Sequence, residues 1–371
     1  MLVALQWVAV GLGIATVTGT LLSLSRSAHW SVRIWDFPRL QIAAVAVAVG
    51  AVYTRLTFRG RAVDWLFLAA LLLCALWQGW KVYPYTPLAR VQVRRSDHAG
   101  AAGAERACLR LLISNVRMEN RQFGRLLDVV RAADPDVVLA VETDAAWAGA
   151  LEPLARSHPF VVRRPQENYY GLMLFSRLPL VAPRVECLVQ DDIPSVHTGI
   201  ELPNGVRVFL HGLHPRPPEP IRGQDSTPRD AELVAVGTAI GDAGDQPTIV
   251  AGDLNDVAWS PTSELFLRLS GLLDPRVGRG LYNSFNADNP FCRYPLDHVF
   301  HSGHFRLCEL RRLPNIGSDH FPMLAELRYE PEGRPDQPPA ERTAADERDA
   351  EERLDKEAEA ARTGSDRPSR E

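Results

Sequence analysis

The first eighty residues contain apolar segments that a soluble fold would have to bury completely. The longest, Leu2–Leu24, has 23 residues without a charged side chain, and a helix of that length crosses the roughly 30 Å core of a bilayer. Two further apolar segments are Leu40–Tyr53 and Trp65–Trp80. The former is short and reaches Phe58 only if Arg55 extends to the interface. The sequence predicts three transmembrane helices in preference to a buried helical subdomain.

The basic residues around these helices bear on whether the first helix is retained and on how the helices are oriented. Leu2–Leu24 is too long for a signal-peptide core and lacks a basic start, so we expect it to be retained. The first loop and the chain after the third helix hold seven Lys and Arg residues, against three in the second loop. Cytoplasmic loops are richer in these residues. We therefore expect a multi-pass protein of the inner membrane; a cytoplasmic globular domain is favoured, but the side stays open.

Composition divides the chain into four parts. We expect a membrane region at 1–86, a polar linker at 87–104, a globular domain at 105–329 and a tail at 330–371. The tail carries 14 acidic and 8 basic residues and few that could enter a core, which favours disorder with a solvated helix from about Arg342 to Arg362. The net charge of −4 comes from this tail, so overall charge gives no argument for nucleic-acid binding.

Within the globular part, short apolar runs end in polar side chains. Thr248–Ala251 has the pattern of a buried strand, and Gly252 then leads into Asp253 and Asn255. A carboxylate and an amide at a strand end suit phosphate-ester hydrolysis, because one activates water and the other donates to a phosphoryl oxygen. The alternative is an Asx turn that closes the strand.

Several other predicted strands end or begin in the same way. For each of these polar residues a structural role is the alternative to a catalytic one, such as a helix cap, a surface ion pair or a histidine in a loop. Asp297 is the least ordinary, since it enters an apolar strand where an unpaired carboxylate is costly. Strands outnumber helices and alternate with them, which predicts two packed β-sheets flanked by helices. The further residues at strand ends are Asn115, Glu142, His214, Asp297 and the run Ser318-Asp319-His320.

These segments together resemble the endonuclease/exonuclease/phosphatase superfamily. They occur in the family's order across about 105–329, and the chain is similar to a membrane-anchored, bacterial-type member. The resemblance implies a four-layer α/β sandwich and divalent-metal-dependent hydrolysis of phosphate esters. The segments are ISNV (113–116), VVLAVE (137–142), YGLMLFSRLPL (170–180), HGLHP (211–215), AGDLN (251–255), PLDHVF (295–300) and GSDHFP (317–322).

The resemblance also implies which residues hold the metal. Glu142 matches the principal ligand, with Asn115 beside it and Asp319 as a further contributor. Hard oxygen ligands of this kind suit Mg²⁺ or Mn²⁺.

The catalytic groups are implied in the same way. Asp253 matches the carboxylate that activates or positions water, and Asn255 matches the amide that contacts the phosphoryl group. His320 matches the imidazole at the scissile phosphate, oriented by Asp297 or by Asp319, and His214 matches a second imidazole near the leaving group. One departure is His298, which stands where many members have Tyr.

We therefore expect a membrane-anchored phosphoesterase whose partners are the lipid bilayer and a lipid-linked or headgroup phosphate. Three spans and a short linker keep such an enzyme near membrane-borne substrates. One alternative is a metal-dependent endo- or exonuclease, although no Lys/Arg run interleaved with aromatic residues marks a nucleic-acid groove. The other is a non-catalytic membrane protein that binds phosphorylated ligands.

The five cysteines give little information at the level of sequence. None lies in a CxxC or Cys/His pattern with zinc-finger spacing, so the sequence does not predict a structural zinc site. Cys292 and Cys308 could form a disulfide in an oxidising compartment, and buried thiols are the alternative.

Overall fold

The computed structural model describes residues 2–97, 107–218 and 224–363. The chain forms two compact units. A helical unit comprises Met1–Arg90 together with Pro218–Ser226, and a sandwich unit comprises Val91–Pro217 and Thr227–Glu371.

The helical unit contains the predicted long apolar helices. They are α1 (Leu2–Leu22), α3 (Arg39–Leu56) and α4 (Ala62–Val82), with the short α2 (Trp30–Arg33) between the first two. In the described part of the chain, three helices are long and apolar enough to cross a membrane. They pack on one another through a small apolar cluster that includes Ala46, Val49 and Leu71.

Polar groups occupy the interior of this helical unit. Arg39 is fully buried and donates to Asp36 Oδ1 at 2.6 Å and to Gln78 Oε1 at 2.9 Å. Gln78 in turn donates to Thr20 Oγ1 at 3.0 Å. The side chains of Asp36, Arg39, Gln78 and Thr20 thus hydrogen-bond to one another in the interior, as is usual for buried polar groups.

The sandwich unit is built on two β-sheets. In the described residues, sheet A has six strands in the order β10-β11-β1-β2-β4-β3, and sheet B has five in the order β5-β6-β7-β8-β9. The strands are β1 (Cys108–Asn115), β2 (Val137–Val141), β3 (Phe160–Arg164), β4 (Leu172–Ser176), β5 (Leu180–Glu186), β6 (Ser195–Glu201), β7 (Arg207–Leu213), β8 (Thr248–Asp253), β9 (Asp297–His301), β10 (Phe305–Arg312) and β11 (Met323–Tyr329).

The sheets face each other and helices cover their outer faces. Leu111 and Leu139 of sheet A pack with Leu210 and Ile249 of sheet B in the central core. A second apolar cluster lies beneath α5 and α6 and a third beneath α7 and α8. The arrangement of helices, sheet, sheet and helices is the predicted four-layer sandwich. The helices are α5 (Phe123–Ala133), α6 (Ala145–Leu151), α7 (Thr227–Asp242) and α8 (Pro261–Ser270).

Two parallel crossovers bring the functional strand ends together. β1 and β2 are parallel around α5, and β7 and β8 are parallel around α7, so each pair ends at one edge of its sheet. β9 runs antiparallel to β8 and places Asp297 opposite Asp253. β11 runs antiparallel to β1, so the residues that precede it lie at the end of β1.

Two expected boundaries differ from the structure. The predicted linker 87–104 already contains sandwich residues: Val93 is fully buried in the central core, and Arg95 forms a bridge with Leu307 of β10. The predicted disordered tail contains α9 (Ala344–Thr363). This helix is packed rather than solvated, because Ala350 lies in a buried cluster with α7 and α8 and Arg353 Nη1 lies 3.1 Å from Asp230 Oδ2.

Candidate active site

Asp253, at the end of β8, is the centre of the candidate site. Its side chain is almost fully buried. Three side chains reach its Oδ2: Asn115 Nδ2 at 3.0 Å, His320 Nε2 at 3.5 Å and His214 Nε2 at 3.9 Å. The structure thus brings together four residues that lie far apart in the sequence: Asn115 from β1, Asp253 from β8, His214 directly after β7 and His320 from the segment before β11.

Asn115 connects Asp253 to Glu142. Its Nδ2 donates to Glu142 Oε1 at 2.7 Å as well as to Asp253, and its Oδ1 accepts from the backbone N of Arg117 at 2.9 Å. Glu142 Oε2 also accepts from the backbone N of Met118 at 3.3 Å. Asn115 therefore holds two carboxylates in a fixed relation.

His320 lies between two carboxylates. Its Nδ1 is 2.8 Å from Asp297 Oδ2, while Nε2 faces Asp253. Burial would lower the pKa of His320, but Asp253 and Asp297 outweigh it and raise that pKa to about 10. The imidazole is therefore a cation at neutral pH. Ser318 fixes this segment, since its hydroxyl donates to the Asn115 carbonyl and accepts from the His320 backbone N.

His214 is the opposite case. Burial lowers its pKa to about 4, with Asp253 opposing and His320 adding to the shift, so the ring is neutral at pH 7. Its ring centroid is 5.6 Å from that of Tyr170. Among the described residues, no group hydrogen-bonds to the buried His214 Nδ1. A neutral imidazole with an unused nitrogen can accept or donate one proton.

Asn255 lies at the site but its amide nitrogen points elsewhere. Its backbone N donates to Asp253 Oδ1 at 3.0 Å, and its Nδ2 donates to the Pro215 carbonyl at 2.9 Å. Arg229 Nη1 holds the Asn255 carbonyl at 2.8 Å. In this geometry Asn255 fixes the loops after β7 and β8, and the predicted contact with a phosphoryl group stays a prediction.

The backbone is strained where these side chains emerge. Glu142 has a φ of 61° and Asn255 a φ of 52°, values uncommon for residues with a side chain. Gly252 has a φ of 145°, and a Cβ there would lie 1.9 Å from the Leu213 carbonyl. Only glycine permits β7 and β8 to approach so closely immediately before Asp253.

One group of three side chains and the separate carboxylate of Glu142 are candidates for holding a metal ion. The ligand atoms of Asp253, Asp297 and His320 all lie within 4.8 Å of one another. Because the His320 Nδ1 is engaged by Asp297 and the ring is cationic, we do not favour that set. Glu142 fits better: burial raises its pKa to about 7, opposed by the Asn115 hydrogen bond, and Asp319 adds negative charge beside it. A bound cation would stabilise the ionised carboxylate.

The residue that departs from the family pattern has a supporting position. His298 is fully buried; its Nδ1 lies 2.7 Å from Arg276 Nη2 and its Nε2 lies 2.9 Å from the Asp256 carbonyl. His298 therefore connects β9 to Arg276 and to the loop after β8.

Sequence reasoning missed two residues that shape the site. Ser284 accepts from the backbone N of Asp297 at 3.0 Å, and the Phe285 ring lies 4.9 Å from the His320 ring. Ser284 and Phe285 lie in a loop without strand pattern, so no sequence signal marked them.

Comparison with known structures found matches of low sequence identity. The catalytic domain of human nocturnin, a structure with a bound sulfate anion, matches with a TM-score of 0.50 and 16% identity over 60% of this chain and 94% of that one. An endonuclease/exonuclease/phosphatase from Beutenbergia cavernae matches with a TM-score of 0.47 and 20% identity, over 61% and 72% of the two chains. A humanized D. rerio TDP2 matches with a TM-score of 0.48 and 16% identity, over 60% and 99%.

Sequence comparison gives the family directly. A search of curated proteins found no match. The sequence profile of the Endonuclease/Exonuclease/phosphatase family matches residues 112–320, more than half of the chain and every strand end described above. The chain is therefore a member of the endonuclease/exonuclease/phosphatase family.

Proposed function

We propose that this protein is a membrane-anchored, divalent-metal-dependent phosphoesterase that acts on a lipid-linked or headgroup phosphate. The observation that carries the proposal is the convergence of Asn115, His214 and His320 on Asp253 Oδ2, all within 3.9 Å. A binding module would gain little from a buried carboxylate between one cationic and one neutral imidazole, whereas hydrolysis needs groups in both protonation states.

Each protein group has a role that fits its protonation state. Asp253 accepts a proton from the attacking water. His320, held by Asp297, donates from Nε2 to a phosphoryl oxygen and offsets the negative charge that grows there. His214, neutral and buried, lies where a leaving group could exchange a proton.

Glu142 is the residue best suited to hold Mg²⁺ or Mn²⁺, with Asp319 beside it. The metal would supply positive charge to the phosphoryl oxygens. Asn115 hydrogen-bonds to both Glu142 and Asp253, so we assign it a positioning role. Metal ligation by Asn115 stays a prediction, since its Oδ1 accepts a hydrogen bond from the Arg117 backbone.

The helical unit supports a membrane location. Its outward side chains are large and apolar, with Trp7, Leu66 and Trp80 each at least 70% exposed, whereas Thr20, Arg39 and Gln78 are buried inside. Such a distribution is favourable in lipid and unfavourable in water. We propose that α1, α3 and α4 span the inner membrane.

Chain length supports a membrane-borne substrate. The last turn of the helical unit ends at Tyr85 and the sandwich unit begins at Val91. The residues between span at most about 20 Å when extended. Short tethers raise the local concentration of a substrate in the same bilayer and do little for a soluble one.

The test is competition between substrates for the full-length protein in liposomes. The liposomes carry lipid phosphoesters, single- and double-stranded DNA is added with Mg²⁺, and full-length Asp253→Asn protein is the control. We expect phosphate or headgroup release that needs Asp253, with little DNA cleavage. Efficient DNA cleavage with steep salt dependence and no release from lipid would favour a nuclease instead.

A further inference from the structure

A second cluster of ligating side chains lies at the opposite end of β1 from the active site. Cys108 is the first residue of β1 and Asn115 the last, so about 23 Å of strand separates them. The Sγ atoms of Cys108 and Cys308 and a carboxylate oxygen of Glu326 all lie within 4.8 Å of one another. These atoms come from three neighbouring strands, β1, β10 and β11.

Strand alternation and one bulge place all three side chains on the outer face of sheet A. Leu109 and Leu111 point into the central core, so Cys108 points outward. Glu326 pairs with Arg110 and shares that outer face. The register of β10 shifts between Leu307 and Glu309, which makes Cys308 the inserted residue of a bulge.

The strand order argues against a direct bond between the two sulfurs. β11 lies between β1 and β10, so the two Cα atoms are separated by about two strand spacings, roughly 9.5 Å. A disulfide requires Cα atoms within about 7 Å. A tetrahedral zinc ion, by contrast, takes thiolates at about 2.3 Å and therefore holds two sulfurs about 3.8 Å apart.

The surroundings suit a cation held by two thiolates and one carboxylate. Arg110 Nη1 donates to Glu326 Oε2 at 2.6 Å, which orients the carboxylate and leaves its second oxygen for a metal. Arg110 also faces Glu309 Oε2 at 3.7 Å, so its charge is balanced.

The geometry points to a zinc site formed by Cys108, Cys308 and Glu326, with water as the fourth ligand, that ties β10 to β1 across β11. Both cysteines are only half-buried, so an ion can enter from solvent. Binding releases the thiol protons and gives a site whose two thiolate charges balance the ion. Zinc ligands 200 residues apart have no sequence spacing that would reveal them.

The experiment uses the full-length protein in detergent, reduced and freed of metal, with Co²⁺ as the spectroscopic probe and Zn²⁺ as the competitor. Only a cysteine ligand gives the near-ultraviolet thiolate-to-cobalt absorption, so a metal at the carboxylates of the active site does not interfere. We expect this absorption to saturate at one ion per chain and to be displaced by Zn²⁺, and Zn²⁺ should raise the thermal unfolding midpoint.

Variants assign the ligands. Cys108→Ser and Cys308→Ser should each weaken Co²⁺ binding by at least about tenfold, the scale for loss of a ligand contact. Cys187→Ser and Cys292→Ser remove exposed thiols outside the cluster and should leave the absorption unchanged.

Three results would overturn the site. They are no thiolate-to-cobalt absorption in the wild-type protein, an absorption that survives in the Cys108→Ser/Cys308→Ser double variant, and a Cys108–Cys308 disulfide formed in the folded protein by the oxidant diamide. The first needs no variant, so a variant that fails to fold does not prevent the test.

Discussion

The Nδ1 atom of His320 lies 2.8 Å from Oδ2 of Asp297, and Asp297 is paired across sheet B with Asp253. One imidazole is thus held by the carboxylate at the start of β9 and faces the carboxylate at the end of β8 with its other nitrogen. Because both partners are negative, the ring carries its proton throughout the neutral range, with a pKa of about 10.

Asp297→Asn should remove one of these two charges and lower the pKa of His320. His320 would then lose its proton as pH rises through this lower pKa. Activity should therefore decrease with rising pH at values below pH 10. Turnover at pH 7 should drop by roughly 10²-fold. The pH profile of kcat and the imidazole signals of His320 in NMR spectra measure both effects. Asp128→Asn, at an exposed residue of α5, is the matched control; an unshifted His320 pKa would contradict the assignment.

Asp253→Asn and His320→Ala should each lower turnover by roughly 10² to 10⁴-fold, the usual scale for an acid–base group or an electrostatic stabiliser. Hydrolysis of a generic phosphodiester and monoester by purified protein measures the loss, with circular dichroism to verify folding. Asp242→Asn alters an exposed carboxylate of α7 and should retain full rates. Full activity in both site variants would rule out this centre.

Glu142 predicts a pH dependence in the metal-free protein. Its pKa of about 7 lies above the value of 4.5 for the free side chain, so the folded state keeps a proton that the unfolded state loses. Stability should therefore fall as pH rises from about 4.5 to 7. Bound Mg²⁺ favours the ionised form and should remove this fall, which thermal unfolding with and without Mg²⁺ will show.

The same group should make metal binding pH-dependent. With a pKa near 7, proton competition weakens Mg²⁺ binding about fivefold between pH 7 and pH 6. Glu142→Gln should raise the Mg²⁺ concentration required for activity and abolish this dependence. If the variant binds Mg²⁺ as the parent does, Glu142 is not the ligand.

A fragment spanning 91–363 should be more stable than one spanning 105–329. The shorter fragment loses the buried Val93 and the whole of α9, including its Arg353–Asp230 ion pair. Loss of one buried valine alone costs about 1.5–3 kcal/mol, which predicts an unfolding midpoint lower by at least about 3 °C. Equal midpoints in calorimetry would mean that these segments contribute nothing to the fold.

Thiol labelling can establish which side of the membrane carries the sandwich unit. Cys187 and Cys292 are exposed on that unit. If the unit is cytoplasmic, a membrane-impermeant maleimide should label them only after intact cells are permeabilised. The Cys187→Ser/Cys292→Ser double variant gives the background, and rapid labelling of intact cells would place the unit outside.

The strands that carry the site were predictable, and two others were not. Runs such as Val137–Val141 are apolar throughout and end in a polar residue, a pattern with few alternatives. β5 was missed because it is an edge strand of sheet B. It is largely exposed, and Pro183 interrupts it. β6 was missed because His197, Thr198 and Gly199 break its apolar pattern even though they are buried or nearly so.

Contacts between residues far apart in the chain could not be predicted from the sequence. α9 has almost no apolar face, and its position depends on Arg353 meeting Asp230, which is 123 residues away. The direction of the Asn255 amide depends on a positive φ that no propensity specifies. The polar residues of the site could be collected from the sequence, but their convergence on one oxygen of Asp253 could not.

Because β1 pairs with β11, sheet A cannot be completed until the end of the domain has been synthesised. The first strand of the sandwich unit lies between β2 and β11, the last of its strands to be made. At 5–20 residues per second, on the order of 10 to 40 seconds pass between the emergence of Asn115 and that of Tyr329. During that interval one edge of β1 has no strand to pair with, while the apolar helices that precede it have already left the ribosome. A nascent chain stalled before β11 would therefore expose an unpaired, aggregation-prone strand edge.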